Sequence, residues 1–214
     1  LLLLLQAWFL LHILYWNQYN PSSSAFMQLR WEIGQQNQLN VKFHYQWVDY
    51  EKISSHLKRA IIAAEDSQFL NHTGFDFKAM QNALEKNWQE GRWAAGGSTI
   101  SQQLAKNLFL SDKKTPWRKL QEAVITYMLE KVMTKRRILE IYLNMIEWGE
   151  NVFGAEAASQ HYFGVKASAL TPRQAAFLAS IVPNPRFYDR NRTAKKLLKK
   201  TDIILKRMPS SQIP

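Results

Sequence analysis

From Lys52 to Met208 apolar side chains return at three- and four-residue steps with few interruptions, the period of one face of an α-helix. In KISSHLKRAIIAAEDSQFL they fall at Ile53, Leu57, Ala60/Ile61 and Ala64. FKAMQNALEKNWQEGRW keeps the period as far as Gly91, and GGSTISQQLAKNLFL opens on Gly96-Gly97 with a Ser-Thr pair suited to capping a helix. Pro116 suits the first turn of the next helix, which runs through WRKLQEAVITYMLEKVM. KRRILEIYLNMIEW should end at Gly149, AEAASQHYFG at Gly164 and LTPRQAAFLASIV at Pro183, ahead of a last basic helix in TAKKLLKKTDIILKRM. Only VKFHYQWV, 41–48, alternates loosely like a strand. No repeat of 20–50 residues breaks the pattern, so one mainly α-helical domain is expected.

The first 16 residues, LLLLLQAWFLLHILYW, are apolar except for Gln6 and His12, and no Lys, Arg, Asp or Glu precedes Arg30. Such a run approaches the ~20 apolar residues that cross a bilayer. The sequence begins at Leu rather than Met, so more residues are expected ahead of it. Trp8, Tyr15, Trp16 and Tyr19 gather at the end of the run, as an interfacial aromatic belt does. A cleaved signal peptide is the rival, but no A-x-A site follows before Pro21. We therefore expect a transmembrane anchor at 1–19, a tether and membrane-proximal segment at 20–44, and a folded domain at 45–208. The charge agrees with work at a surface: 28 Lys and Arg against 17 Asp and Glu call for an anionic partner. With no cysteine, disulfide scaffolds and cysteine metal sites are excluded, which suits cytoplasm or periplasm.

Four groups of residues carry chemistry. In AAEDSQFLNHTGFD, 63–76, Glu65 and Asp66 stand at the end of an apolar run. They are a solvated helix end, a salt bridge to Lys58 or Arg59 one turn back, or a partly buried carboxylate tuned as a general base. In GGSTISQQLAKN, 96–107, the glycines admit close approach of a ligand, and Ser98, Thr99, Gln102 and Gln103 offer hydroxyls and amides. Gln102 and Lys106 share a helix face, and a helix start of this kind attracts anions. Cations crowd residues 113–137, including Lys113, Lys114, Arg118 and Lys119, and again Arg186 to Arg207. A solvated face and a phosphate-bearing lipid substrate both account for them. Nucleic acid is disfavoured: no zinc-finger spacing, RNP pattern or zipper-linked basic region occurs. Glu122, one turn after Arg118, is either its i,i+4 partner or a second carboxylate facing Glu65. The histidines show no zinc spacing, and there is no P-loop, GxSxG or SxxK.

Taken in order, AAEDSQFLNHTGFD, GGSTISQQLAKNLFL, RKLQEAVITYMLEK (118–131), KRRILEIYLN (135–144) and AEAASQHYFGVKASALTPRQAAFLASIVPNP (155–185) resemble the five motifs of glycosyltransferase family 51. The likeness covers about residues 45 to 190, and about 25 residues remain after it, too few for a transpeptidase domain. It implies a monofunctional peptidoglycan transglycosylase with a mainly α, lysozyme-like glycosyltransferase domain behind the N-terminal transmembrane helix. A membrane-proximal jaw is implied between the first two motifs, with Trp88, Trp93 and the apolar positions of AMQNAL dipping into lipid.

The resemblance also supplies a reaction. A growing glycan strand is the donor and lipid II the acceptor, whose GlcNAc 4-hydroxyl attacks C1 of the donor MurNAc, turning α into β and releasing the lipid pyrophosphate. By motif position Glu65 is the general base, with Asp66 shaping its surroundings, and Glu122 is the second glutamate: it orients cations, holds a divalent ion, or assists the leaving group. Lys106, Lys114, Arg118 and Lys119 are implied at the pyrophosphate, where the family often has arginine in place of Lys114. Phe69, Gly97, Ser98, Thr99, Gln102 and Gln103 are implied as further substrate contacts. No metal or cofactor site is built by the chain itself, although magnesium on the substrate pyrophosphate is ordinary chemistry. The implied location is the bacterial inner membrane, single-pass with a periplasmic domain, and cell-wall synthesis or division proteins are possible partners. The alternatives are a membrane-bound lytic transglycosylase or muramidase of the same fold and a non-catalytic cell-wall scaffold.

Overall fold

The computed structural model describes residues 2–38, 41–91, 96–113 and 115–214, the side chain of Asn87 excepted. Lys114 and Trp93 lie outside the described residues. Helices dominate, and their ends follow local chemistry. Ser54 caps α3 (Ser55–Glu65) by accepting from the His56 amide at 3.2 Å. Asp76 caps α4 (Phe77–Glu90), which stops at Gly91 in the left-handed region. Thr99 and Gln102 form a reciprocal capping box on α5 (Ile100–Phe109). Pro116 sits in the first turn of α6 (Pro116–Val132), and Thr134 caps α7 (Lys135–Met145).

The remaining helices are α1 (Leu2–Gln18), α2 (Ala25–Gln36), α8 (Ala155–Phe163), α9 (Pro172–Ile181), α10 (Pro185–Arg190) and α11 (Lys195–Arg207). Gly164 closes α8 with φ +66°. A small sheet holds β1 (His44–Tyr45) parallel to β3 (Val152–Phe153), with β2 (Glu147–Gly149) antiparallel on β3's other side. Two expectations shift. α7 ends at Met145 rather than Gly149, because Ile146 turns extended and 147–149 pairs as β2. The stretch expected as a tether and membrane-proximal segment contains α2, held by the Ser24 cap and by burial of Phe26 and Met27.

The core is where the apolar stripes meet. Leu57, Ala60 and Ile61 of α3, Leu104 and Ala105 of α5, Ile125 and Leu129 of α6, and Ile138, Leu139, Ile141 and Tyr142 of α7 are all fully buried. Each such large aliphatic side chain contributes roughly 1.5–3 kcal/mol on burial, against a few tenths for a surface charge pair along a helix. Packing therefore positions the ends of α3 and α5, which carry most of the acids and amides singled out above.

α1 buries Phe9 and Ile13, and packs Trp8, Phe9, His12 and Trp16 around Phe109 at the end of α5. Gln6 donates to Gln121 of α6 at 2.9 Å, while Leu3, Leu4 and Leu11 stay largely exposed. Among the described residues, no helix is long and apolar enough to cross a membrane.

Candidate active site

A cleft of about 450 Å³ opens between the end of α3, the turn before α5 and the end of α11, lined in part by Glu65, Asp66, Gly97, Ser98 and Arg207. Glu65 is the last residue of α3 and its side chain is 11% exposed. Its two oxygens have different surroundings. Oε2 accepts from Gln103 Nε2 at 3.0 Å, whereas Oε1 is buried with no hydrogen-bond partner. The local pairs expected as one alternative do not form: Lys58 lies over the Tyr50 ring, and Arg59 donates to the Ser211 carbonyl. Instead Glu65 Oε1 faces Lys200 Nζ of α11 at 3.7 Å.

Gln103 is itself held. Tyr142 of α7 donates its hydroxyl to Gln103 Oε1 at 2.9 Å, so the amide must turn its NH2 towards Glu65. Burial first, then the nearby charges of Glu65 and Asp66, push the Tyr142 phenol well above its ordinary range, which keeps it a proton donor. Tyr142, Gln103 and Glu65 form a fixed chain of partners from the core to the cleft.

Asp66 serves the scaffold. The Gly74 amide donates to His72 Nδ1 at 3.1 Å, which leaves His72 Nε2–H to donate to Asp66 at 2.9 Å. Asp66 Oδ2 also accepts from the Ile100 amide at 3.0 Å, at the first turn of α5. The anion site expected at this helix start is thus filled from within by Asp66. Thr99 and Gln102, expected as substrate contacts, are each 2% exposed and engaged in the capping box, and the Thr99 hydroxyl donates to the Gly74 carbonyl at 2.7 Å. Gly74 has φ +96°, and a Cβ there would meet Thr126 at 2.9 Å. Phe69 is also corrected: its ring is fully buried beneath Lys135 Nζ, 4.6 Å away, and presents no surface to a ligand.

Gly97 makes a close approach, though to protein rather than ligand. A Cβ there would stand 2.8 Å from Met80 Cα of α4, while Gly96 has open space. We expect Gly97→Ala to cost about 1–3 kcal/mol in thermal unfolding, because backbone cannot yield cheaply, and Gly96→Ala to be nearly neutral. Equal melting of the two variants would contradict this packing.

On the far side of Ser98 the cations collect. Lys119 Nζ reaches Ser98 Oγ at 3.4 Å and also contacts Glu122, whose other oxygen takes Arg118. Glu122 is 2% exposed and is the i,i+4 partner of Arg118, the first of the two readings its spacing allowed. Arg118 Nε is buried without a partner. Lys106 has no hydrogen bond or ion pair with a described residue, only the Phe26 ring 5.5 Å away. Burial lowers its pKa most. Glu122 raises it, Arg118 and Lys119 lower it, and Glu65 raises it, which places the ammonium within the field of both glutamates. Among the described residues no three His, Asp or Glu side chains gather to hold a metal. Glu122 does not fit as a ligand either, since both of its oxygens are taken by cations.

Tyr142, Lys200 and Arg207 escaped the sequence reading as site residues. Tyr142 lies on an apolar stripe whose period says only that it faces inward, and Lys200 and Arg207 are two of nine cations between 186 and 207 with no pattern to separate them.

The chain matches the family model for transglycosylases over residues 33–209, wider at both ends than the motifs alone. A biosynthetic peptidoglycan transglycosylase of Nitrosomonas europaea is 64% identical over 212 residues, spanning 99% of this chain and 87% of its own. The one of Nitrosospira multiformis is 64% identical over 209 residues, spanning 98% and 91%. That of Methylobacillus flagellatus is 58% identical over 214 residues, spanning 100% and 93%.

Proposed function

We propose that this chain, which belongs to the transglycosylase family, is a peptidoglycan glycosyltransferase that polymerises lipid II into linear β-1,4 strands, with Glu65 as general base. The observation that carries the mechanism is the asymmetry of the Glu65 carboxylate. Gln103 anchors Oε2, while Oε1, buried beside the cleft that Glu65 lines, has no hydrogen-bond partner. A carboxylate oxygen in that state can accept the proton of a sugar hydroxyl placed within hydrogen-bond reach.

The acceptor's GlcNAc 4-hydroxyl gives its proton to Oε1 as its oxygen bonds to C1 of the donor MurNAc. The bond from C1 to the pyrophosphate oxygen breaks on the opposite face, and polyprenyl pyrophosphate leaves with the electron pair. Negative charge then gathers on the leaving group, so fixed cations are worth most there. Lys106, Arg118 and Lys119 fill that role, with Lys114 a further candidate by sequence. Glu122 holds Arg118 and Lys119 in position rather than a metal. Ser98, between the cleft and Lys119, contacts the donor. Polymer and free polyprenyl pyrophosphate should appear in step when the purified chain meets lipid II. Unchanged lipid II, with isolated sacculi cleaved instead, would overturn the reading in favour of a lytic enzyme.

The Lys106 shift gives a further expectation. Its pKa is lowered, so the ammonium loses its charge at a lower pH than an ordinary lysine, and pyrophosphate binding weakens as pH rises. KM for lipid II should climb on the alkaline side, and Lys106→Arg should move that climb to higher pH, because guanidinium stays charged. Identical KM profiles for the two would remove Lys106 from the pyrophosphate.

The same reading puts the chain at the inner membrane with its domain in the periplasm. Three exposed apolar surfaces support it: the leucines of α1; Phe77, Leu84 and Trp88 on one face of α4; and Trp117, Leu120 and Tyr127 on α6. The face on α4 is the jaw that dips into lipid, and α1 belongs to the single-pass anchor.

A further inference from the structure

We propose that Lys200 is a positioning residue for Glu65, holding the charge of the base without occupying the oxygen that takes the proton. The inference rests on Glu65 being the base and adds a residue outside the five motifs.

Glu65 Oε1 is buried and lacks a hydrogen-bond donor, a costly state for a carboxylate oxygen unless something nearby stabilises its charge. Lys200 Nζ stands 3.7 Å away. That distance is beyond a hydrogen bond but close enough for a strong charge–charge interaction in a partly buried cleft. An ammonium in hydrogen-bond contact would compete with the sugar hydroxyl for the same lone pairs. At this separation Lys200 attracts the carboxylate and leaves those lone pairs open. Gln103 restrains one oxygen and Lys200 draws the other, so the carboxylate is fixed from two elements, α5 and α11.

Lys200 is well placed to hold that geometry. Its neighbours Leu197, Thr201 and Ile204 are buried, and Thr201 Oγ1 donates to Ser180 Oγ of α9 at 3.2 Å, tying α11 down. Lys200 Nζ itself is near the surface, the side chain being 33% exposed, so changing its head group leaves the packing of α11 alone. It also comes from a different helix than Lys106, Arg118 and Lys119. Its effect should therefore fall on the base and not on the binding of pyrophosphate.

Lys200→Met, Lys200→Arg and Glu65→Gln chains are compared with the wild type for lipid II polymerisation and thermal unfolding. We expect Lys200→Met to lose about tenfold in kcat, less than the ~10²-fold that full misplacement of a reacting group can cost. KM should stay within about twofold, the signature of a role in the chemical step. Lys200→Arg should recover most of the rate, and all three should melt near the wild type. Unchanged kcat in Lys200→Met, a loss confined to KM, or equal impairment of the Met and Arg variants would each overturn the inference. A fully active Glu65→Gln chain would instead overturn the assignment of the base, and the present inference with it.

Discussion

Glu65→Gln is expected to fold as the wild type does and to lose at least about 10²-fold in polymerisation, the lower end for removal of a general base. The amide has the volume of the carboxylate and offers Gln103 an oxygen in place of Oε2, so α3 has no reason to move. What disappears is basicity at Oε1, the carboxylate oxygen without a hydrogen-bond partner. Binding should survive, since the cations proposed for the pyrophosphate come from α5 and α6. The loss should therefore lie in kcat, with circular dichroism and melting unchanged. A Glu65→Gln chain that still makes glycan at near-normal rate would require another base, and the adjacent carboxylate, Asp66, is already engaged by His72 and the Ile100 amide.

Glu122→Ala is expected to damage both stability and activity. Glu122 is buried between Arg118 and Lys119, with Lys106 in the same field. Removing it leaves like charges facing one another with nothing between them. Breaking a buried pair costs about 3–5 kcal/mol, and the half-exposed Lys119 brings this nearer to about 3. For a chain of this size that is a fall of roughly 6–12 °C in thermal midpoint. Glu122 also raises the Lys106 pKa, so its loss pushes that ammonium further towards the neutral form and weakens pyrophosphate binding at alkaline pH. A Glu122→Ala chain that melts with the wild type and keeps its KM would show that the carboxylate does not organise the cations.

Periodicity marked most helices because their stripes are wide and their caps are chemical: Thr99 with Gln102, Pro116 and Gly164 all stand where their residue types predict. α2 was not legible, since Phe26 and Met27 are buried by partners far away in sequence. At the site, motif position brought Glu65, Gln103, Arg118, Lys119 and Glu122 forward, but not what each side chain touches. Thr99, Gln102 and Phe69 have the right residue types for ligand contacts and are engaged inside the protein instead. The reverse holds for Tyr142 and Lys200. Each reaches the site only because α7 and α11 pack where they do, and no local spacing reports that.

The sharpest test of a single displacement driven by Glu65 is the anomeric configuration of the bond it makes. Strands grown on lipid II should carry β linkages throughout, open to complete digestion by a β-1,4 muramidase, and no sugar should be found attached to Glu65 at any stage. Retained α linkages, or a glycosyl adduct on that carboxylate, would make Glu65 a nucleophile and contradict the account.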